Sequence, residues 1–209
     1  MPAEGGITMS NADQLVALGQ RMFLELDQEA LLCRYPLEHD DDHIWITFLG
    51  RHCRINRHDG SVWVGSRRAG FCVALTVLDL MGNPVGKPVA TGSWITVQEA
   101  SQAASAPRTD SVLQRGVSFF AGKAAELDEA LASLGGWEVA GGEVSRQLEV
   151  VEGMPIWVQF WDGDDEFPCR MTFLWDRSIR LFLHFETMWY VMMEVIDRCR
   201  DYIVQEYGE

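Results

Sequence analysis

Lysine is nearly missing from this 209-residue chain. Of its seventeen basic residues only Lys87 and Lys123 are lysines, and thirty-one Asp and Glu leave a formal net charge of −14. An excess of that size repels phosphate backbones and anionic lipid headgroups, which sets nucleic-acid and membrane-surface binding aside. The opening MPAEGGITMS holds neither a basic nor an apolar stretch, so a secretory leader is not expected. No apolar run approaches the ~18 residues that span a bilayer. The five cysteines, Cys33, Cys53, Cys72, Cys169 and Cys199, are scattered and form no C-x-x-C. That usage points to reduced thiols in a cytoplasm rather than to a disulfide framework.

What is present is an ordinary globular composition, 47% apolar and 23% charged, with eight Trp and nine Met to supply large, soft contact surfaces. The length suits one core. Residues 1–9 are expected to be disordered and 10–209 to form a single α+β domain. Ser10 and Asp13 resemble a capping box opening a helix over about 11–32, with Leu15, Leu18, Met22 and Leu26 at helical spacing. EHDDDH (38–43) reads as a polar loop. Ile44, Ile46 and Phe48 alternate along a strand, Gly50-Arg51 stands as a two-residue turn, and strands at 52–56 and 61–64 complete a three-stranded meander. GFCVALTVLDLMGNP is apolar nearly all round and ends on Gly-Asn-Pro, the pattern of a buried helix with a stop signal. SWITV is extended, QEASQAASAP (98–107) is a short helix or loop, and Ala124, Leu127, Leu131 and Leu134 mark an amphipathic helix closed by Gly135-Gly136. VSRQLEV reads as a strand. IWVQFW and CRMTFLW alternate with period two and form a hairpin. The tail from Glu186 to Tyr207 is one long helix.

The tip of that hairpin, WDGDDEFP, carries Asp162, Asp164, Asp165 and Glu166. Counted as an EF-hand from Asp162, position 12 is Phe173 and not the bidentate Glu that calcium needs. Four solvated carboxylates tolerate one another: at ~6 Å in water each pair repels by roughly 0.7 kcal/mol before screening. Asp and Gly are turn formers, so a polar turn is the leading reading and a divalent-metal or partner loop the alternative. In EHDDDH, His39, Asp41 and His43 would share one side of an extended chain as a weak zinc site, against a plain solvated loop. His52 and Cys53 are adjacent on a strand and therefore face opposite ways. Cys169 stands beside Arg170, a neighbour able to lower a thiol pKa. Arg51, Arg54, Arg57, Arg67 and Arg68 fall within eighteen residues and run against the overall charge. Arg54, Arg67 and Arg68, with the amides of the helix start after Gly70, are candidates for an anion or carboxylate-bearing ligand; pairing with the acids at 38–42 is the alternative. Trp189 to Met193 is core, a homodimer interface or the wall of a cofactor pocket.

ITFLGRHCRI, ALTVLDLMGNPVGKPVATGSWITV, the LGGW…GGE stretch at 134–143 and PIWVQFWDGDDEFPCRMTFLWDRSI together resemble an uncharacterised prokaryotic domain-of-unknown-function family, over about Leu24 to Cys199. The likeness implies Asp at the place of Glu143 in relatives. It also implies that some relatives are fused to an iron–sulfur domain like that of the corrinoid iron–sulfur proteins of anaerobes; the five scattered cysteines here build no such cluster. No nucleophile–base–orienter set emerges from the residues. The expectation is a binding or accessory protein for a small ligand or a protein partner, with a corrinoid and one-carbon link implied by the resemblance. A metal-dependent hydrolase or lyase using the acids at 162–166, with Glu143, and a structural homodimer on the tail helix are the alternatives.

Overall fold

In the computed structural model, residues 10–83, 85–101, 114 and 116–208 are described; the expectations for residues 1–9, for Pro84 and for 102–107 lie outside them. The chain is α+β. Six α-helices are present among the described residues: α1 (Asn11–Leu24), α2 (Gln28–Arg34), α3 (Phe71–Gly82), α4 (Val97–Ser101), α5 (Ala124–Ser133) and α6 (Phe185–Tyr207). They pack on two antiparallel sheets. The first has the order β1 (His43–Phe48), β2 (Arg51–Asn56), β3 (Val62–Val64), β4 (Arg67–Arg68). The second runs β5 (Trp94–Thr96), β9 (Arg170–Asp176), β8 (Met154–Trp161), β7 (Val144–Val151), β6 (Trp137–Glu138). No helix among the described residues is long and apolar enough to cross a membrane.

The period-two stretches become strands with one buried face: Ile44, Ile46 and Phe48 in β1, Ile156, Val158 and Phe160 in β8, and Phe173 and Trp175 in β9. α3, apolar on most sides, sits between α1 and α6. α6 buries Met188, Met192, Ile196, Cys199 and Ile203 inside the chain, so its apolar face is core. Gly208 ends it in the left-handed region at φ +74°, the usual place for glycine after a helix.

Five details depart from the sequence reading. The first helix is two helices, because Asp27 accepts from the Ala30 amide at 3.0 Å and starts α2 afresh. Ser10 and Asp13 do form the capping box, but α1 turns the other way round. Phe23 and Gly19 face the core, Gly19 against Leu75 and Leu78. Leu15, Leu18 and Met22 remain 43%, 44% and 56% exposed. The hairpin turn is Leu49-Gly50, both at positive φ (45° and 73°), and not Gly50-Arg51. The pair has the backbone of a type I′ turn, which matches strand twist. A leucine there is tolerated because the turn is docked: its amide donates to the Val150 carbonyl (2.9 Å), and its carbonyl accepts from Arg198 Nη1 (2.7 Å). That contact helps bind the first sheet to β7 and α6. The meander, finally, has a fourth strand, and the short β6 was not legible.

Candidate functional site

Antiparallel register sets one row of side chains across the first sheet. Trp45 opposes Arg54, Arg54 opposes Trp63, and Trp63 opposes Arg68. Directly opposed residues share a face, so indole, guanidinium, indole and guanidinium alternate across four strands. The face is the outer one, since Ile44, Ile46, Phe48, Cys53, Ile55 and Val62 occupy the buried side. Trp63 is the pivot. The Arg54 and Arg68 guanidinium carbons lie 5.7 Å and 5.5 Å from its ring centroid, and Nε1 is fixed by donating to Ser61 Oγ at 2.9 Å. His43 extends the row, its ring 5.7 Å from Trp45.

The arginine run divides into spent and unspent cations. Arg57 is consumed: it bonds the Gln28 side chain, Glu29 and the Asp40 carbonyl, pinning α2 to the loop before β1. Arg51 lies 4.0 Å from Glu194. Arg54 and Arg68 form no hydrogen bond or ion pair to the described residues, and Arg54 Nε is buried without an acceptor. Asp59 is the acid whose carboxylate feels the Arg68 charge. Arg67 pairs with Val64 in register and so projects from the opposite face. Of the three arginines named from the sequence, the sheet brings two together and removes the third.

Arg68 also lines a cavity of about 390 Å³ between α1, β3 and the first turn of α3. A second, of about 370 Å³, is bounded by Trp189, Met192, Met171, Phe173 and Arg170, which puts the Trp189 patch partly on a cleft wall.

The acids at 162–166 do not converge. Asp162 accepts from the Gly122 and Gly163 amides, and its own amide donates to Glu143 Oε2 at 2.6 Å. Asp164 Oδ1 accepts from the Phe167 amide (2.7 Å) and the Glu166 amide (2.8 Å), and these bonds hold its carboxyl below the usual range. Both side chains build the turn, and Asp165 and Glu166 are exposed. Among the described residues no group of three or more His, Cys, Asp or Glu is gathered to hold a metal. Millimolar magnesium or calcium is therefore expected to leave the melting temperatures of the wild type and Asp164→Asn unchanged. A metal-induced rise in the wild type alone would restore the metal reading.

The remaining candidates separate. His39 Nδ1 contacts the Leu37 carbonyl, while the His43 ring lies tilted against Trp45. His52 points outward to Thr47, and Cys53 is buried. Cys169 is buried with its thiol donating to the Val117 carbonyl, and burial followed by the Asp162 charge pushes that thiol up, not down. Arg170 lies instead over the Trp161 ring.

One arrangement escaped sequence reading. Asp79, on α3, accepts from both the His184 amide (2.9 Å) and His184 Nδ1 (2.5 Å), and Asn83 Nδ2 donates to the same carboxylate at 3.1 Å. A carboxylate at Nδ1 favours the tautomer with its proton there and Nε2 as acceptor. No nucleophile is bonded to this pair among the described residues. Its members lie 105 positions apart, and no spacing rule reaches that far.

Residues 27–198 match the profile of a family described as Domain of unknown function (DUF3786). No curated protein and no solved structure matches the chain.

Proposed function

The chain belongs to the DUF3786 family, a grouping that carries no activity with it, and on that footing we propose a binding or accessory protein whose ligand surface is the Trp45–Arg54–Trp63–Arg68 row. The ligand is an anion. The observation that carries this reading is the pair of guanidiniums, Arg54 and Arg68, that flank Trp63 without an ion-pair partner among the described residues in a chain of net charge −14. Acids are abundant, yet none of the described acids forms an ion pair with either cation, and Asp59 is the acid near Arg68. A cation–π contact with the indole restrains each guanidinium, at about 0.5–1 kcal/mol per contact. Its N–H edge is then preset for two parallel bonds to a carboxylate or phosphate.

The test is a titration of ¹⁵N-labelled protein, reading the Trp63 indole N–H, with acetate and with inorganic phosphate as probes. Saturable shifts centred on Trp63 and the Arg54 and Arg68 amides are expected. Arg54→Gln and Arg68→Gln should each weaken binding at least tenfold without changing the rest of the spectrum. Unmoved signals at tens of millimolar would sink the reading. The finer reading, service to corrinoid or one-carbon metabolism, is supported by the family likeness; aquacobalamin in the same titration tests it, and an unchanged spectrum counts against it.

A further inference from the structure

The cavity beside Arg68 bears on what the anion is. Its walls come from three elements: Ala12, Val16 and Ala17 of α1, Val62 of β3, and the run from Ala69 through Phe71 to Ala74. Four of these are alanines, so short apolar side chains make up most of the trough's lining. Its volume, about 390 Å³, lies at the lower end of small-molecule sites. The polar side chains of its lining are Asp13, Gln20 and Arg68. The Asp13 carboxylate accepts from the Ser10 amide and hydroxyl. Arg68 is shared with the Trp63 row.

We infer that the ligand is a monocarboxylate with an aliphatic chain, its head on Arg68 and its tail in the trough between α1 and α3. This rests on the anion reading above and goes further by naming the ligand class. Charge decides the head. Arg68 is the one cation among the described residues that line the cavity, and Asp13, also in its lining, opposes a second carboxylate on the tail. The lining decides the tail, because the same cavity sets Arg68 beside seven apolar residues, Ala12, Val16, Ala17, Val62, Ala69, Phe71 and Ala74. The same trough explains why α1 turns small residues inward here and leaves Leu15, Leu18 and Met22 outside.

The experiment extends the Trp63 titration to acetate, butyrate, hexanoate and octanoate, kept below the concentration at which octanoate aggregates. Affinity should rise roughly three- to fourfold for each methylene that enters the trough, following ~0.8 kcal/mol per buried CH₂. Shifts should spread from Trp63 to Ala17, Ala69 and Ala74. Ala17→Phe, which fills the trough, should abolish the chain-length dependence and leave acetate affinity unchanged; if that variant does not fold, Ala12→Leu at the open end of α1 replaces it. Arg68→Gln should weaken the whole series. Equal affinities for acetate and octanoate would overturn the inference while leaving the anion reading standing. No shift with any carboxylate or with phosphate overturns both. Octanoate shifts that survive Ala17→Phe, or that appear across the whole surface, mean binding elsewhere and also overturn it.

Discussion

Replacing Asp176 with alanine is expected to lower the free energy of unfolding by about 3 kcal/mol or more, and the melting temperature by roughly 6–12 °C for a chain of this size. The residue is 0% exposed at the end of β9. Its two oxygens accept from the Thr91 amide (2.9 Å) and hydroxyl, the Gly92 amide (2.7 Å) and the Ser178 amide (2.9 Å). Alanine removes the acceptor of three backbone donors at once, that of Ser178 buried and those of Thr91 and Gly92 part-buried, and an orphaned buried donor costs about 1–3 kcal/mol. The carboxylate also ties the segment before β5 to the chain after β9, so its loss loosens the β5 edge of the second sheet.

The pH dependence follows from the same contacts. Burial is the largest single influence and pushes the Asp176 carboxyl up. The bonds from Ser178, Thr91 and Gly92 together outweigh it and hold the group below the usual carboxylate range. A carboxyl depressed by folding stabilises fully above its unfolded pKa, about 3.9, and that contribution is lost as pH falls through the folded value. Urea unfolding of the wild type and Asp176→Asn between pH 7 and pH 2.5 should therefore converge at the acid end. A gap that stayed constant with pH would show that the charge is not what matters there.

Gly153→Ala is the second large effect, expected at about 3 kcal/mol or more. Gly153 turns β7 into β8 at φ +80°, where a side chain costs roughly 1–2 kcal/mol. A Cβ there would also stand 2.2 Å from the Pro88 carbonyl oxygen. Backbone on both sides leaves no flexible group to yield. Gly65→Ala separates the two terms: φ is +57° but nothing lies within 4 Å, so only the conformational cost of about 1–2 kcal/mol should appear. Chemical denaturation of the two variants checks the difference, and equal losses would refute the collision.

How much of this was legible in the sequence depends on how far apart the cooperating residues lie. Repeats of two in IWVQFW and CRMTFLW, the apolar run of α3, the Ser10–Asp13 box and the turn chemistry of WDGDDEFP are local, and each dictated its own element. The α+β class followed from them. The acids at 162–166 were also readable as a turn, because Asp164 bonds to amides only two and three residues ahead.

The arginine run was legible as an unusual cluster but not as a site. Sequence placed Arg54, Arg67 and Arg68 together; register across β2, β3 and β4 kept the first and last over Trp63 and sent Arg67 to the other face. A strand's period is two, so a single position decides the side, and only pairing with the neighbouring strand fixes the register. The inward side of α1 was likewise undecided by its leucines, because α3 offered Leu75 and Leu78 a place against Gly19 rather than against a larger side chain. Asp176 with Thr91, and Asp79 with His184, lie 85 and 105 positions apart. Local chemistry by itself determined the elements and their caps. Tertiary packing alone decided which charges were spent, which were buried and which were left facing water, since those outcomes depend on neighbours the chain meets only once it has folded.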